Sequence, residues 1–457
     1  MVNEIKKNEE YIVEIIDNGF QGEGIAKISG ITIFVPNCIK GEKVKIKILK
    51  ITSSHAFGKV IEILESSEFR KESDCATYPR CGGCAIRHID YDYTIQIKKT
   101  AVESTLKKAL GREIKISETL KMDNPYNYRN KLQYPIGIDE SGKPVMGVYA
   151  ERTHKIISTK ECKIQDELSQ KIANSIYDWI CENKIKVYNE VNLEGSIRHI
   201  VIRIGKKTNQ VMVTLVTNTK KIEKEKELVE YLISKYPEIK TIVKNINSKN
   251  TNVILGNANE ILFGEGYIYD YLGEYKFKIS PMSFYQVNQI QTEKLYTKAV
   301  EYAELTGEET VFDLYCGIGT IGIFASKNVK KLYGIETVPQ AIEDAKENAK
   351  LNNIENAEFF VGDVEKTLPE FIKQRKIIPD VVFIDPPRKG CDKTALNTIL
   401  EIEPKRIVYV SCNPASLGRD LKILEEKYDI KDISICDMFG FSYHVECVTA
   451  LTLKSIE

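Results

Sequence analysis

The last third of the chain alternates short apolar runs with longer stretches of helical periodicity. The apolar runs predict strands at Glu309–Asp313, Lys331–Glu336, Ala357–Val361, Asp380–Asp385, Arg406–Val410, Lys431–Cys436 and Glu446–Leu453. A helix is predicted over Pro339–Leu351. Strands that alternate with helices of this length indicate a mostly parallel, doubly wound α/β sheet. We therefore expect a C-terminal α/β domain over residues 271–457.

The start of the chain has a different pattern, in which short strands are separated by turn residues. Strands are predicted at Tyr11–Ile16, Ile31–Val35 and Lys43–Ile48. Their spacing indicates a small OB-like β-barrel over residues 1–63. Strict alternation in the third strand places Lys43, Lys45 and Lys47 on one face. That face either meets RNA phosphates or is simply solvated.

The middle of the chain, residues 64–270, mixes strands and helices and predicts an α+β region. A lysine-rich helix is expected over residues 93–110, with the C-terminal domain as one surface against which it could pack. The segment 126–133 interleaves tyrosines with Arg129 and Lys131, which suits stacking and phosphate binding on unpaired RNA. The alternative is a strand whose tyrosines face the core.

Composition narrows the class of protein. A chain of 457 residues exceeds one ordinary domain, and its zero net charge means that any nucleic-acid patch must be local. The start of the chain is polar, and no run approaches the ~20 apolar residues of a membrane span. These features predict a cytoplasmic protein without a membrane partner. Its eleven cysteines are then reduced, and clusters of them indicate metal or catalytic sites.

A glycine-rich turn, Asp313-Leu-Tyr-Cys-Gly317-Ile-Gly-Thr320, follows the first strand of the C-terminal domain. Glycines at this point permit a tight turn and close approach of the backbone to a ligand. Together with Glu336 at the end of the next strand, this turn resembles the S-adenosylmethionine (AdoMet) site of class I methyltransferases. The resemblance implies that Glu336 binds the ribose hydroxyls and that Asp363 lies near the adenine.

Two further loops follow predicted strands at the same sheet edge. Ser411-Cys412-Asn-Pro414 places a thiol where ligands bind in α/β sheets, either as a nucleophile or as an inert buried side chain. Asp385-Pro-Pro-Arg388 is a stiff loop with a carboxylate within reach of a ligand. An aromatic residue in place of Arg388 would suggest methylation of an exocyclic amine, so arginine weakens that alternative.

Four motifs together resemble the RNA uracil-5-methyltransferases. They are Ser283-Phe-Tyr-Gln286-Val-Asn288, Asp385-Pro-Pro-Arg388, Ser411-Cys-Asn-Pro414 and His444-Val-Glu446-Cys-Val448. The resemblance implies that Cys412 is the nucleophile and Glu446 the general base. It also implies that AdoMet contacts come from Gln286, Tyr315, Glu336 and Asp385, with Asp313, Gly317 and Asp363 as further candidates.

The chemistry of uracil explains these residue types. Carbon 5 is a poor nucleophile, and addition of a thiolate to carbon 6 converts the ring to an enolate that attacks the methyl group. A base must then remove the proton from carbon 5, and a carboxylate in apolar surroundings has a pKa raised towards a working value. A stacked base cannot react, so the target must be flipped out.

Cys75, Cys81 and Cys84 form a second cysteine motif, Cys-x5-Cys-x2-Cys, for which Cys162 could be a fourth ligand. Zinc favours two Cys-x2-Cys pairs, whereas this spacing better suits an iron–sulfur cluster held by four cysteines. The spacing also resembles the cluster-bearing branch of the family, which implies [4Fe–4S]. The alternative is a set of unrelated buried thiols.

The N-terminal barrel resembles a TRAM domain, an RNA-binding module, through residues 19–26 and Phe34-Val-Pro36. The branch with both barrel and cluster implies 23S rRNA as the substrate, with the T-loop of tRNA as the alternative. A radical methylthiotransferase would need a Cys-x3-Cys-x2-Cys motif, which is absent. A non-catalytic RNA-binding redox sensor is the alternative from another class. No obligate protein partner is indicated.

Overall fold

The computed structural model describes residues 5–151 and 153–455. The first four residues of the predicted N-terminal domain, Arg152 and the last two residues of the C-terminal domain lie outside this description. Three main sheets follow one another along the chain. The predicted domain boundaries remain proposals, and the structure ends its first sheet at Glu65 and begins the hairpin that precedes the last sheet at Ile268.

The N-terminal sheet has six strands in the order β1-β5-β6-β4-β3-β2. They are β1 (Glu10–Glu14), β2 (Asp17–Asn18), β3 (Gly24–Ile28), β4 (Ile31–Val35), β5 (Lys43–Ile51) and β6 (His55–Glu65). Only Ile15 and Ile16 separate β1 from β2, although these strands stand at opposite ends of the order. Alternate apolar residues of these strands fill the core, and among them Ile33 and Ile46 have no solvent exposure. Closure into a barrel stays a prediction.

The cysteine-rich segment leads into α1 (Tyr91–Leu110) and β7 (Glu118–Leu120). Helix α1 is capped at its start by Asp90, whose carboxylate accepts the N–H of Asp92 at 3.1 Å. It ends at Gly111, which has φ 74° and so relieves the strain of a left-handed C-terminal residue. The helix predicted over residues 93–110 is thus present, with two more residues at its start.

The central sheet has the order β10-β9-β8-β11-β12-β13-β14. In chain order its region contains β8 (Lys131–Ile138), β9 (Pro144–Tyr149), β10 (Ile156–Ser158), α2 (Glu167–Glu182), β11 (Ile197–Ile204), β12 (Val211–Thr217), α3 (Glu225–Lys235), β13 (Ile239–Ile246) and β14 (Ala258–Phe263). Apolar residues of α2 and α3 share one buried cluster with this sheet. Because β8 begins only at Lys131, residues 126–130 are a loop rather than the strand that one reading of the sequence predicted.

The C-terminal region begins with a hairpin and continues with alternating strands and helices. Its elements are β15 (Ile268–Leu272), β16 (Tyr275–Ile279), α4 (Gln289–Ala303), β17 (Thr310–Leu314), α5 (Thr320–Ala325), β18 (Lys331–Glu336), α6 (Pro339–Leu351), β19 (Ala357–Val361), α7 (Val364–Arg375), β20 (Val381–Ile384), α8 (Lys393–Ile402), β21 (Arg406–Ser411), α9 (Pro414–Leu424), β22 (Tyr428–Cys436) and β23 (Glu446–Leu453). The sheet order is β19-β18-β17-β20-β21-β23-β22-β7. Strands β17 to β21 pair in parallel and β23 is antiparallel, which confirms the doubly wound α/β domain.

Residues 91–120 pack with this C-terminal sheet. Strand β7 pairs in parallel with β22. Helix α1 lies so close to α9 that a Cβ added at Gly418 would stand 2.6 Å from the Cβ of Ala109. The Nζ of Lys98 in α1 donates to Asp437 at 2.5 Å, and both side chains are buried. The segment before the central sheet therefore supports the loops that surround the C-terminal strand ends.

Candidate active site and cysteine site

A cavity of about 790 Å³ opens at the carboxyl edge of β17, β18, β20 and β21. The sequence-predicted residues that line it are Gln286, Tyr315, Gly317, Glu336, Asp363, Asp385, Cys412 and Glu446. Parallel strands bring the residues that follow them to one edge, where α/β proteins bind ligands. The structure thus brings the proposed nucleophile, base and AdoMet contacts together, apart from Asp313.

The turn after β17 has the conformation that its glycines allow. Tyr315, Gly317 and Gly319 have φ values of 63°, 56° and 81°, in the left-handed region. The Glu336 carboxylate accepts the N–H of Gly317 at 3.2 Å and also that of Val338 at 3.0 Å. Glu336 therefore connects the glycine-rich turn to the end of the neighbouring strand and faces the cavity from there.

Asp313 lies beneath the turn rather than in the cavity wall. It has no solvent exposure, and its carboxylate accepts the N–H of Gly322 at 2.9 Å. Burial, and to a smaller extent the carboxylates of Asp385 and Glu336, raise its pKa to about 7. A Cβ at Gly322 would come within 2.8 Å of this carboxylate. Its position indicates that Asp313 shapes the turn.

Cys412 and Glu446 meet through strand register. In the antiparallel pair β21–β23, Val410 is opposite Val448 and Ser411 is opposite Cys447. One further step in this register places Cys412 opposite Glu446, with Cα atoms on the order of 5 Å apart. Both side chains line the cavity. The thiol and the carboxyl group can therefore act on neighbouring atoms of one bound substrate.

Burial dominates the electrostatics of these groups. Together with the carboxylates of Glu446 and Asp385, and against the charge of Arg388, it raises the pKa of Cys412 to about 11. Burial also raises the pKa of Glu446 well above its usual value and that of Asp385 to about 7. The cavity therefore collects groups that resist ionisation until a cation or a substrate enters.

Arg388 is held by the loops around it. Its guanidinium donates to Nδ1 of His444 at 3.0 Å, and its carbonyl accepts the Nδ2–H of Asn413 at 2.9 Å. Burial and the charge of Arg388 lower the pKa of His444 to about 4, so that the imidazole is neutral at pH 7. The Asp-Pro-Pro-Arg and Ser-Cys-Asn-Pro loops are thereby joined directly.

Some residues of the cavity were not predicted from the sequence. Phe284 is 70% exposed at the cavity, and Phe439 reaches it from the connection between β22 and β23. Thr337 and Glu365 also line it. Phe284 lies inside the quoted Ser-Phe-Tyr-Gln motif, which was a usable signal, whereas nothing in the sequence marked the loop that contains Phe439.

The loop that carries Gln286 is fixed by the central region. The Nδ2 of Asn130 donates to the carbonyl of Gln286 at 2.9 Å. The guanidinium of Arg203, 3% exposed, donates to the carbonyl of Ser283 at 3.0 Å. Fixed backbone on both sides of Phe284 leaves its ring and the Gln286 side chain at the cavity.

The four predicted ligand cysteines form a group that we call the cysteine site: Cys75, Cys81, Cys84 and Cys162. They lie close together, and the charges of neighbouring cysteines raise the pKa of Cys81, Cys84 and Cys162. Burial is the larger cause, and it raises the pKa of Cys84 to about 12. The buried hydroxyl of Tyr134 has no hydrogen-bond partner among the described residues, and its pKa is raised by burial and then by nearby cysteines.

The cysteine site has mixed features as a metal centre. In the described part of the chain, no three His, Cys, Asp or Glu side chains are close enough to hold one metal ion. A [4Fe–4S] cluster spaces its thiolates more widely, since each cysteine binds a different iron. Arg87 lowers the pKa of Cys84 and Arg129 that of Cys162, against the larger effect of burial. Four thiols beside two cations fit an anionic cluster in their chemistry.

The loop of the cysteine site is bonded to the segment before Glu446. The N–H groups of Ala85 and Ile86 both donate to the carbonyl of Phe441, at 3.0 and 3.1 Å. The guanidinium of Arg87 lies over the Phe441 ring, 4.4 Å from its centroid. Further along, Phe439 and His444 line the active-site cavity. Residues 439–446 therefore contact the loop of the cysteine site and also line the active-site cavity.

The predicted RNA-binding residues fall into two groups. On β5, Lys43 pairs with Glu65 at 3.1 Å and Lys45 with Glu10 at 2.7 Å, which reduces the positive charge of the stripe that includes Lys47. In the central region, burial and then Arg203 and Arg129 lower the pKa of Lys131 to about 8. Lys131 forms no ion pair with any residue of 5–151 or 153–455.

Comparison with known proteins identifies two regions of the chain. The model of the tRNA (uracil-5-)-methyltransferase family matches residues 90–454, and that of the TRAM domain matches residues 5–61. In the described residues, no helix combines the length and apolarity needed to cross a membrane. The family match covers both the active-site cavity and Cys162.

Relatives match along nearly the whole chain. An uncharacterized RNA methyltransferase of Clostridium acetobutylicum is 49% identical over 452 residues, which cover 98% of each chain. A second, from Bacillus cereus, is 45% identical over 455 residues, 99% of this chain and 98% of the relative.

A solved structure extends the likeness to three dimensions. It is the Pyrococcus abyssi tRNA (uracil-54, C5)-methyltransferase in complex with S-adenosyl-L-homocysteine, which has a TM-score of 0.78 and 28% identity. The match covers 97% of this chain and 100% of that one. With Cys412, Glu446 and the AdoMet turn at one cavity, the chain belongs to the RNA uracil-5-methyltransferase family, as an enzyme with an N-terminal TRAM domain.

Proposed function

We propose that the protein methylates carbon 5 of a uridine in 23S rRNA, with AdoMet as methyl donor and a covalent adduct at Cys412. The observation that carries this proposal is the single cavity lined by Cys412, Glu446 and the AdoMet residues. Its volume of about 790 Å³ is in the range of pockets that enclose small ligands.

Each residue has a role in the proposed mechanism. Bound AdoMet supplies an electrophilic methyl group. The thiolate of Cys412, formed by loss of its proton to solvent, adds to carbon 6 of a flipped uracil, and the electron pair of the carbon 5–carbon 6 bond forms an enolate. Carbon 5 of the enolate takes the methyl group, and S-adenosylhomocysteine is the leaving group. Glu446 removes the proton from carbon 5, the double bond re-forms and the thiolate leaves. Arg388 is the cation that favours the thiolate.

The AdoMet contacts are proposed residue by residue. Glu336 at the strand end faces the ribose and Asp363 the adenine, while Gln286, Tyr315 and Asp385 surround the methionine part and the sulfonium. Gly317 lets the backbone approach the ligand, and Asp313 holds the turn from below. Carboxyl groups with raised pKa values are suited to a cationic ligand, because the cation favours their ionised form.

We propose that the cysteine site holds a [4Fe–4S] cluster on Cys75, Cys81, Cys84 and Cys162. The chemistry of four clustered thiols beside Arg87 and Arg129 supports this, as does the free state of the cysteines described in the structure. Free thiols also suit a reducing compartment such as the cytoplasm.

The RNA substrate allows one alternative. The T-loop uridine of tRNA is favoured by the Pyrococcus abyssi structure, whose enzyme acts on uracil 54 of tRNA. For RNA contact we propose Arg129, Lys131 and the stripe of Lys43, Lys45 and Lys47. Arg129, Lys131 and Lys47 have no ion-pair partner among the described residues, whereas Lys43 and Lys45 are already paired.

The test uses RNA from a strain without the enzyme. Purified protein is incubated with radiolabelled AdoMet and either 23S rRNA or tRNA, and 5-methyluridine is mapped by mass spectrometry of nuclease fragments. We expect label in 23S rRNA with the wild type and none with Cys412→Ala. Label in tRNA alone would move the proposal to the alternative substrate, and equal label from both proteins would contradict the nucleophile.

A further inference from the structure

A second cavity, of about 530 Å³, lies at the edge of the central sheet and shares no lining residue with the active-site cavity. It is bounded by the β8–β9 hairpin, β10 and the start of β11. Its wall includes Tyr149, His154, Tyr188, Arg198 and His199. We call it the β11 cavity.

Two buried side chains in its wall each have one polar atom without a hydrogen-bond partner among the described residues. His199 is 7% exposed, and its Nδ1 has no hydrogen-bond partner within residues 5–151 and 153–455. Arg198 is 5% exposed, and its Nε likewise has none among these residues. Buried polar groups are nearly always hydrogen-bonded, since an unpaired one destabilises the fold. Two of them at one cavity indicate a ligand that completes their bonds.

The protonation state of His199 defines what it offers. Burial and the charge of Arg198 lower its pKa to about 4, so the ring is neutral at pH 7. Its Nε2 is 3.4 Å from the hydroxyl of Tyr149. If that hydroxyl donates, Nδ1 carries the proton and donates to a ligand. Together with the Nε–H of Arg198, it offers directional bonds to a polar ring edge.

Aromatic side chains supply flat surfaces beside these groups. The rings of Tyr149 and His154 are stacked with centroids 5.4 Å apart, and Tyr149 meets His199 edge-on at 6.4 Å. The guanidinium of Arg198 lies over the ring of Tyr188 at 4.4 Å. Unpaired RNA bases bind to such combinations of stacking surfaces and hydrogen-bonding groups.

The charge at the rim selects the base rather than the phosphate. Asp139, Glu140 and Glu190 all line the cavity. The carboxylate of Glu140 pairs with Lys155 at 2.8 Å, and that of Glu190 lies 3.1 Å from Nδ1 of His154. The guanidinium of Arg198 donates to the carbonyls of Asn247 and Lys249, at 2.6 and 2.9 Å. These carboxylates would repel a phosphate that entered the cavity, whereas a neutral nucleobase carries no net charge for them to repel.

The β11 cavity is connected to the active site by one strand. His199 and Arg203 stand four residues apart on the same face of β11, about 13 Å along the strand. Arg203 holds the carbonyl of Ser283 in the loop whose Phe284 lines the active-site cavity. Lys131 is opposite Arg203 in the register and half-buried on that face. All eight residues of β11 are buried, so this connection between the two cavities runs through the interior of the central region.

We propose that the β11 cavity binds an unpaired nucleobase of the RNA substrate close in sequence to the target uridine, an inference that rests on the proposed function. The base stacks on Tyr149 and takes hydrogen bonds from His199 and Arg198. Such a second base contact lets the enzyme choose among uridines, since the target pocket itself sees only uracil.

The test measures RNA binding without AdoMet. Single-stranded oligoribonucleotides that each carry 2-aminopurine at one position are titrated with wild type, Tyr149→Leu and His199→Leu. We expect a fluorescence change at one position for wild type, and an RNA affinity about tenfold lower with loss of that change in both variants. Tyr231→Leu, on α3, is the matched control and should bind like the wild type.

A second measurement separates this inference from the proposed function. In the methylation assay both variants should show a KM for RNA raised about tenfold, with kcat and AdoMet affinity unchanged, which also reports correct folding. RNA affinity and fluorescence equal to wild type in Tyr149→Leu and His199→Leu would overturn the β11 cavity as a base site. Absence of 5-methyluridine with the wild type would contradict the proposed function, while the binding titration still decides the cavity.

Discussion

Cys412 and the cysteine site use the same side chain in contrasting surroundings. The thiol of Cys412 has the carboxyl groups of Glu446 and Asp385 beside it and Arg388 as the nearby cation. The cysteine site groups four thiols with one another and with two arginines. In both places burial is the first cause of a raised pKa. Thiols with a raised pKa thus occur in both places. The difference between the two places is in the neighbouring groups, which decide whether a thiol acts as a nucleophile or as a metal ligand.

The most decisive way to break this comparison is Cys412→Ala. Removal of the nucleophile should lower methylation by about 10,000-fold, since the enolate can no longer form. Iron and acid-labile sulfide per chain should equal those of the wild type, because the cysteine site is untouched. Label incorporation and metal analysis on the same preparation measure both. Loss of iron in this variant would mean that the two thiol sites are not independent.

Glu446→Gln separates the two halves of the reaction. We expect turnover to fall about 100- to 10,000-fold, since the amide cannot take the proton from carbon 5. Addition of Cys412 and methyl transfer can still occur, so the covalent RNA–protein adduct should accumulate as a slow band on denaturing gels. The double variant with Cys412→Ala is the control and should give no band. A Glu446→Gln protein that turns over at the wild-type rate would remove the base assignment.

Cys81→Ser sharpens the other side of the comparison. We expect nearly complete loss of iron, sulfide and visible colour in protein prepared without oxygen. Methylation should fall only about tenfold, as for a residue that supports a site without entering it. The physical link is the pair of hydrogen bonds from Ala85 and Ile86 to Phe441. Cys181→Ser, an exposed cysteine on α2, is the matched control.

The smallest expected effect concerns pH and AdoMet. Because burial raises the pKa of Asp385 to about 7, the free protein carries this carboxyl protonated below pH 7. A cation binds better to the ionised form, so AdoMet affinity should rise up to tenfold per unit from pH 6 towards 7 and level off above 8. Calorimetry in buffers of different ionisation enthalpy counts the proton released. Asp385→Asn should bind weakly at every pH and show a flatter profile, and an unchanged slope in that variant would assign the proton to another group such as Asp313.

Much of the C-terminal fold follows from local sequence. Helix α6 and strand β23 have the predicted bounds, since proline starts the first and an apolar run defines the second. The meeting of Cys412 and Glu446 also follows once their strands are known to pair, because register fixes which residues face each other.

Other features depend on distant contacts that a local pattern does not contain. Strand β7 has three residues and joins the sheet only through β22, more than three hundred residues later. The lysine stripe shows alternation in sequence, but its neutralisation requires Glu10 and Glu65 from two other strands. The unpaired atoms of His199 and Arg198 become visible only with the whole wall of the β11 cavity in place.

The bond between the cysteine loop and Phe441 has a consequence for synthesis. A ribosome makes the chain from its N-terminus, and early segments can fold before late ones exist. The donors at Ala85 and Ile86, together with Lys98 on α1, precede their acceptors at Phe441 and Asp437 by more than three hundred residues. Segments made early thus supply the hydrogen-bond donors against which residues 437–441 pack. Because Glu446 follows these acceptors in the chain, the enzyme gains its base only after the cysteine loop and α1 have been made.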